Sequence, residues 1–244
     1  MTPLLRALGS MLFLVFGASS AALAVVVTTG DGSGNTAPPT DDPGFANVGT
    51  TPSQLSGVYL GDRWVLTAHH VGEEVMRFGG VPYPVVPGER VQLTTHGVGA
   101  DLALLRLESA PPLPAPVLAT QPLAGGEVAS FIGSGYPRLP DLFCWDAAFV
   151  EVTCSGPPPV AHRGYKKQGG VRVVRWGQNA IADVDQEGVI NGRTTRYFTT
   201  VFDEAGLPHE SQAVVGDSGG AVYLKRGGQW ELVGLMFAQF VWPD

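Results

Sequence analysis

The chain reads as an all-β protein. Glycine (33) and proline (20) are abundant among its 244 residues, which favours many turns over long helices. No stretch sustains a 3.6-residue apolar period over three turns. Instead, short strand-like runs follow one another between turn residues.

The first runs, 56–60 (SGVYL) and 63–67 (RWVLT), are split by Gly61-Asp62, a hairpin signal. Runs at 81–86, 90–95 and 101–107 continue the series. A proline-rich connector, 110–116 (APPLPAP), then interrupts it, because proline cannot donate to a ladder. Strand signals resume at 127–132 and recur at 171–176, 195–201, 220–224 and 231–240. This organisation predicts two β units, 45–116 and 117–244. Before them, 28–49 is rich in Gly, Thr, Asp and Pro without periodicity, so 25–44 is expected to be a flexible arm.

Composition narrows the function classes. Hydrophobic residues are 44% and charged residues 15%, enough for a packed core. The formal net charge of −7 argues against a phosphate-seeking surface and so against a nucleic-acid partner. The doubled basic spot, Lys166-Lys167, reads as a solvated loop.

Residues 1–24 have the layout of an export signal: Arg6, the apolar run 11–16 (MLFLVF), then small residues ending in Ala22-Leu23-Ala24. Cleavage there would start the mature chain at Val25 and leave a secreted, periplasmic or cell-surface protein with no stable membrane insertion. An uncleaved anchor is the rival reading, since apolar residues continue through Val27. In an exported protein, Cys144 and Cys154 suggest one disulfide, with two separate buried thiols as the alternative. No cofactor is implied, and zinc is disfavoured because no further ligands sit beside the cysteines.

Three segments carry chemistry. Ser218 lies in Gly216-Asp217-Ser218-Gly219-Gly220. A serine hydroxyl needs a base to become a nucleophile. Gly216 can turn its N–H towards an oxyanion without a Cβ in the way, and the N–H of Ser218 can supply a second donor. Residues 64–70 (WVLTAHH) closely resemble the W-V-L-T-A-A-H segment of trypsin-like serine proteases, and 101–105 (DLALL) resembles their D-I-A-L-L segment. Gly133-Ser134-Gly135 resembles the turn that opens their second barrel. The resemblance spans roughly residues 55–240, in the chain order His, Asp, Ser.

That resemblance implies two antiparallel barrels of the chymotrypsin type with the active site between them. It also implies a serine endopeptidase acting on polypeptides, with a His70, Asp101, Ser218 triad and a Gly216/Ser218 oxyanion hole. His69 stands where the family has alanine. His96, His162 and His209 have no motif around them and read as surface or loop histidines. A silent binding module on the same fold and an esterase remain the competing functions.

Specificity follows from the same alignment. The pocket base falls on Gln212, followed by Ala213, and the flanking strand carries Phe237, Ala238 and Gln239. An amide offers no charge to compensate a desolvated Arg or Lys, so small or medium uncharged side chains are expected. Glu210 reads as a solvated acid, though a shift of two residues would bring it into the pocket. Phe237 falls where the family has a serine supporting the catalytic Asp. The family's I-V-G-G N-terminus is absent, since Val25-Val26-Val27-Thr28 lacks the glycines. Asp217 is therefore expected to find a partner other than a new N-terminus. The chain stops at Asp244, sooner than in the family, which implies a second barrel cut short or closed differently.

Overall fold

The computed structural model describes residues 25–168, 172–203 and 206–239. The signal-like segment 1–24 and its cleavage after Ala24 lie outside the described residues, as does the chain end at Asp244. Among the described residues there is no α-helix, only strands and two 3₁₀ turns, Phe45–Asn47 and His69–Val71.

The strands before the connector are β1 (Val26–Val27), β2 (Val48–Thr50), β3 (Ser56–Gly61), β4 (Trp64–Thr67), β5 (Met76–Phe78), β6 (Val81–Tyr83), β7 (Val85–Thr95) and β8 (Val98–Leu107). After it come β9 (Val117–Leu118), β10 (Val128–Gly135), β11 (Arg138–Trp145), β12 (Glu151–Val152), β13 (His162–Lys167) and β14 (Val173–Ala180). The series ends with β15 (Gln186–Ile190), β16 (Arg193–Tyr197), β17 (Ser211–Gln212), β18 (Ala221–Arg226) and β19 (Gln229–Leu235). Seven strands form one curled sheet in the order β6-β5-β2-β3-β4-β8-β7, and five form another in the order β14-β10-β18-β19-β9. Ribbons β12-β11-β13, β15-β16 and β1-β17 complete the second half.

Period-2 alternation explains which residues enter the core. On β8, Ala103, Leu105 and Leu107 are fully buried and alternate with half-buried neighbours. Leu105 and Leu107 pack with Tyr59, Val65, Met76 and Phe78 inside the first sheet. Asp101 shares their parity, so the ladder itself directs a carboxylate inward. Val48 and Val58 of the first half join Ile132, Ala221 and Leu232 of the second in a cluster that closes the two halves on each other.

The segment 25–44 is packed, contrary to the expected flexible arm. Val25 and Val27 are buried in the core of the second half. Arg138, itself 1% exposed, donates to the carbonyls of Val27, Thr28 and Gly30. Further along, Asn35 and Ala37 hydrogen-bond with Trp176, and Asp41 pairs with Lys225 and Trp230. The polar composition of this segment does not make it loose, because its backbone carbonyls accept from Arg138 and Trp176 of the second half.

Cys144 on β11 is paired with Cys154, just past β12, across a short hairpin. Titration of unfolded, unreduced protein is expected to find no reactive thiol. Reduction is expected to cost about 3 kcal/mol of stability on a chain-entropy account.

Candidate active site

His70 sits just past β4. There the strand gives way to the His69–Val71 turn, which closes with Val71 N–H donating to Ala68 O. This leaves the His70 side chain one-third exposed at the seam between the halves. Asp101 lies on β8, directly across, with its side chain fully buried.

The two are doubly joined. His70 N–H donates to Asp101 Oδ1 at 3.0 Å, and His70 Nδ1 lies 2.8 Å from Asp101 Oδ2. On the other side of the ring, His70 Nε2 is 2.8 Å from Ser218 Oγ. A carboxylate only accepts hydrogen bonds, so the proton is assigned to Nδ1 and Nε2 is left to accept from the serine hydroxyl.

Burial pushes the Asp101 pKa up. Hydrogen bonds from the His70 ring, from Asn191 Nδ2 (2.9 Å, to Oδ2) and from the His70 backbone outweigh it and hold the carboxyl at about 2. A depressed pKa contributes stability that is complete above about pH 4. That contribution is lost as the pH falls from there to about 2. Asn191 was not anticipated from the sequence. It occupies the Asn191-Gly192 turn between β15 and β16, and Asn-Gly is a strong hairpin signal that could have located the turn.

Ser218 is fixed by one contact across the seam and one within the second half. Ser56 N–H donates to Ser218 O (2.8 Å), and Gly219 N–H donates to Met236 O (2.8 Å). Gly219 has φ 84, and a Cβ there would lie 1.9 Å from Ser56 O and 2.4 Å from Thr67 Oγ1. Gly216 has φ 108, with Arg172 Nη1 2.9 Å from where its Cβ would be. Gly219 therefore requires glycine on conformational and steric grounds, and Gly216 on conformational grounds.

Asp217 is 1% exposed, and burial raises its pKa well above the usual carboxylate range. Its Oδ2 accepts from Val214 N–H at 3.0 Å, while Oδ1 makes no hydrogen bond among the described residues. The backbone N–H of Val25 and the charges of Arg172 and Arg175 act on the carboxylate in the opposite sense. Among the described residues, the hydrogen-bond partner of Asp217 is thus the Val214 N–H.

A small cleft beside Ser218 is lined by Ala213, Phe237, Ala238 and Gln239, with Val215 and Met236. Gln212, expected at the pocket base, is not among the lining residues, because it ladders with Val26 in the β1–β17 pair. Phe237 makes an edge contact with Tyr197 and borders the cleft. Glu210 is neither solvated nor in the cleft. It is 2% exposed and accepts from the backbone N–H groups of Asp203 and Leu207.

The remaining histidines have separate environments. His69 is half-buried, and desolvation, with Arg90 adding to it, lowers its pKa. His96 faces Glu187, His162 stacks on Phe149, and His209 tilts against Trp176. Among the described residues, no cluster of three or more His, Cys, Asp or Glu could hold a metal ion.

Two β halves with a histidine, a buried aspartate and a serine at their seam define a chymotrypsin-fold protease. The family described as the trypsin-like peptidase domain matches residues 55–235, and the chain belongs to that family. No curated protein sequence matches the chain. Similar solved structures include the NS6 protease from murine norovirus 1, at 16% identity and TM-score 0.45, covering 84% of this chain and 88% of that one. They also include the Rv3671c protease in its inactive form, at 18% identity and TM-score 0.46, covering 79% of this chain and 77% of that one.

Gly219→Ala tests the packing of the turn that carries Ser218. The Cβ meets backbone and a buried threonine, so the turn must shift. The variant is expected to lose at least about 2 kcal/mol of stability, measured by chemical denaturation, together with most peptide hydrolysis. Unchanged stability would show that the turn does not press on Ser56.

Proposed function

We propose that the chain is a serine endopeptidase that cleaves peptide bonds through an acyl-enzyme on Ser218. The observation that carries this reading is the 2.8 Å approach of His70 Nε2 to Ser218 Oγ, with Nδ1 turned to the ionised Asp101. Both cysteines of the chain are paired with each other, so a hydroxyl and not a thiol faces the base.

As Oγ attacks the scissile carbonyl carbon, His70 Nε2 takes its proton, and Asp101 stabilises the resulting imidazolium. The carbonyl oxygen becomes an oxyanion held by the N–H groups of Gly216 and Ser218. The C–N bond then breaks, with His70 returning the proton to the leaving amine. Water, activated by the same base, attacks the ester and releases Ser218.

The cleft favours small or medium uncharged side chains at the cleaved bond. Its lining residues carry no charge, and Glu210 is occupied in holding the 203–207 loop. A desolvated Arg or Lys would have no counter-charge there.

Export completes the proposal. Cleavage after Ala24 would leave Val25 as the first residue of the mature chain, and Val25 is already buried in the core of the second half. The expected result is a secreted, periplasmic or cell-surface protease whose partner is its polypeptide substrate, with no nucleic acid and no cofactor. Among the described residues, no helix is long and apolar enough to cross a membrane.

Profiling a peptide library against the exported protein and its variants tests these assignments together. Ser218→Ala and His70→Ala are expected to abolish turnover, and Asp101→Asn to lower kcat by roughly 10⁴. His69→Ala is expected to keep most activity, and cleavage after uncharged side chains is expected to dominate. Ester turnover without peptide turnover would instead indicate an esterase. No turnover of either, in well-folded protein, would indicate a binding module. A dominant preference for Arg or Lys would overturn the specificity.

A further inference from the structure

We propose that Asn191 is a positioning residue of the proteolytic site, holding Asp101 through the hairpin that it turns. The inference rests on the serine-protease reading above, and the hairpin comes from the other half of the chain.

Asp101 is buried, and its oxygens need donors. Oδ1 receives the His70 backbone N–H, and Oδ2 receives His70 Nδ1–H. Asn191 Nδ2 supplies another donor to Oδ2 at 2.9 Å. Because an ionised carboxylate accepts only, the amide must present its NH₂ there. The same ribbon reaches Asp101 a second time, since Asp101 N–H donates to the Oγ1 of Thr195, which is 1% exposed. One hairpin therefore grips both the backbone and the side chain of the residue that orients the base.

The local sequence explains the placement. Ile190 pairs with Arg193, leaving Asn191-Gly192 as a two-residue loop with φ values of 52 and 72. Positive φ at both central residues is the type I′ requirement, and Asn-Gly meets it well. The turn thus carries Asn191 to the carboxylate at little conformational cost. Tyr197, at the far end of β16, touches Phe237 of the substrate cleft, so the ribbon borders both Asp101 and the bound substrate's position. Phe237, standing where a supporting hydroxyl was expected, leaves this role open.

The groups facing the cluster are His70 and His69 from the first half, Arg90 from β7, and Arg193 on the hairpin. None of them replaces the amide, because Asn191 is the donor to Oδ2 besides the catalytic imidazole.

Two variants separate positioning from turn formation. Asn191→Gly keeps the turn, which glycine adopts freely, but removes the donor. It is expected to lower kcat by roughly 10- to 100-fold, the loss typical of a hydrogen bond to a charged group, with KM little changed. Asn191→Asp also fits the turn. Protonated, it donates an O–H to Asp101 Oδ2 in place of the amide; ionised, it sets a like charge against it. Its activity relative to the native protein is therefore expected to fall as the pH rises.

Carboxyl carbon NMR of Asp101 gives a readout that needs no activity, and in Asn191→Gly its pKa is expected to move up from about 2. Native kcat together with an unmoved Asp101 titration in Asn191→Gly would overturn the inference and leave the protease reading intact. A native protein without turnover, but with an Asp101 titration that shifts in the variant, would overturn that reading and leave the Asn191 contact standing.

Discussion

Burial of one ionised carboxylate organises the functional half of this molecule. Asp101 lies on the inward parity of β8, among Ala103, Leu105 and Leu107, where a charge without donors would cost several kcal/mol. The fold supplies those donors from two directions: His70 from the first sheet, and the β15–β16 ribbon from the second half. Satisfying the charge and orienting the imidazole are therefore one structural solution. Moving the β15–β16 ribbon or the His69–Val71 turn away from β8 would remove donors from Asp101.

Ser56 performs the matching task for Ser218, the proposed nucleophile. Its N–H holds the Ser218 carbonyl, its own carbonyl accepts from Thr67 Oγ1, and its hydroxyl accepts from Ser134 N–H. A single small residue on β3 thus touches the nucleophile turn, the strand leading to His70 and the sheet of the second half. Gly219 presses against it so closely that no side chain fits. This seam sets the distance between Ser218 and His70 through backbone contacts, which are stiffer than side-chain contacts alone.

The all-β class and the two-unit organisation were legible because strand and turn signals are local. His70, Asp101 and Ser218, which meet at the seam, each lie in a sequence motif, and the register counted from Trp64 selects His70 over His69. What escaped reading depends on contacts distant in sequence. Asn191 meets Asp101 across 90 positions, and nothing near Asn191 marks it except a turn dipeptide. The packed course of 25–44 was hidden for a similar reason, since its partners Arg138, Trp176 and Lys225 lie in the second half. Gln212 and Glu210 were misplaced because counting back from Ser218 ignores the pairing of β17 with β1 and the loop that Glu210 holds.

The central claim is that His70 and Asp101 make Ser218 a nucleophile. Covalent labelling with a fluorophosphonate, followed by mass analysis of the adduct, tests it most directly. The account predicts one adduct per chain, mapped to Ser218 and absent from His70→Ala. A well-folded protein that hydrolyses peptides with no adduct at Ser218, or with the adduct on another residue, would contradict it.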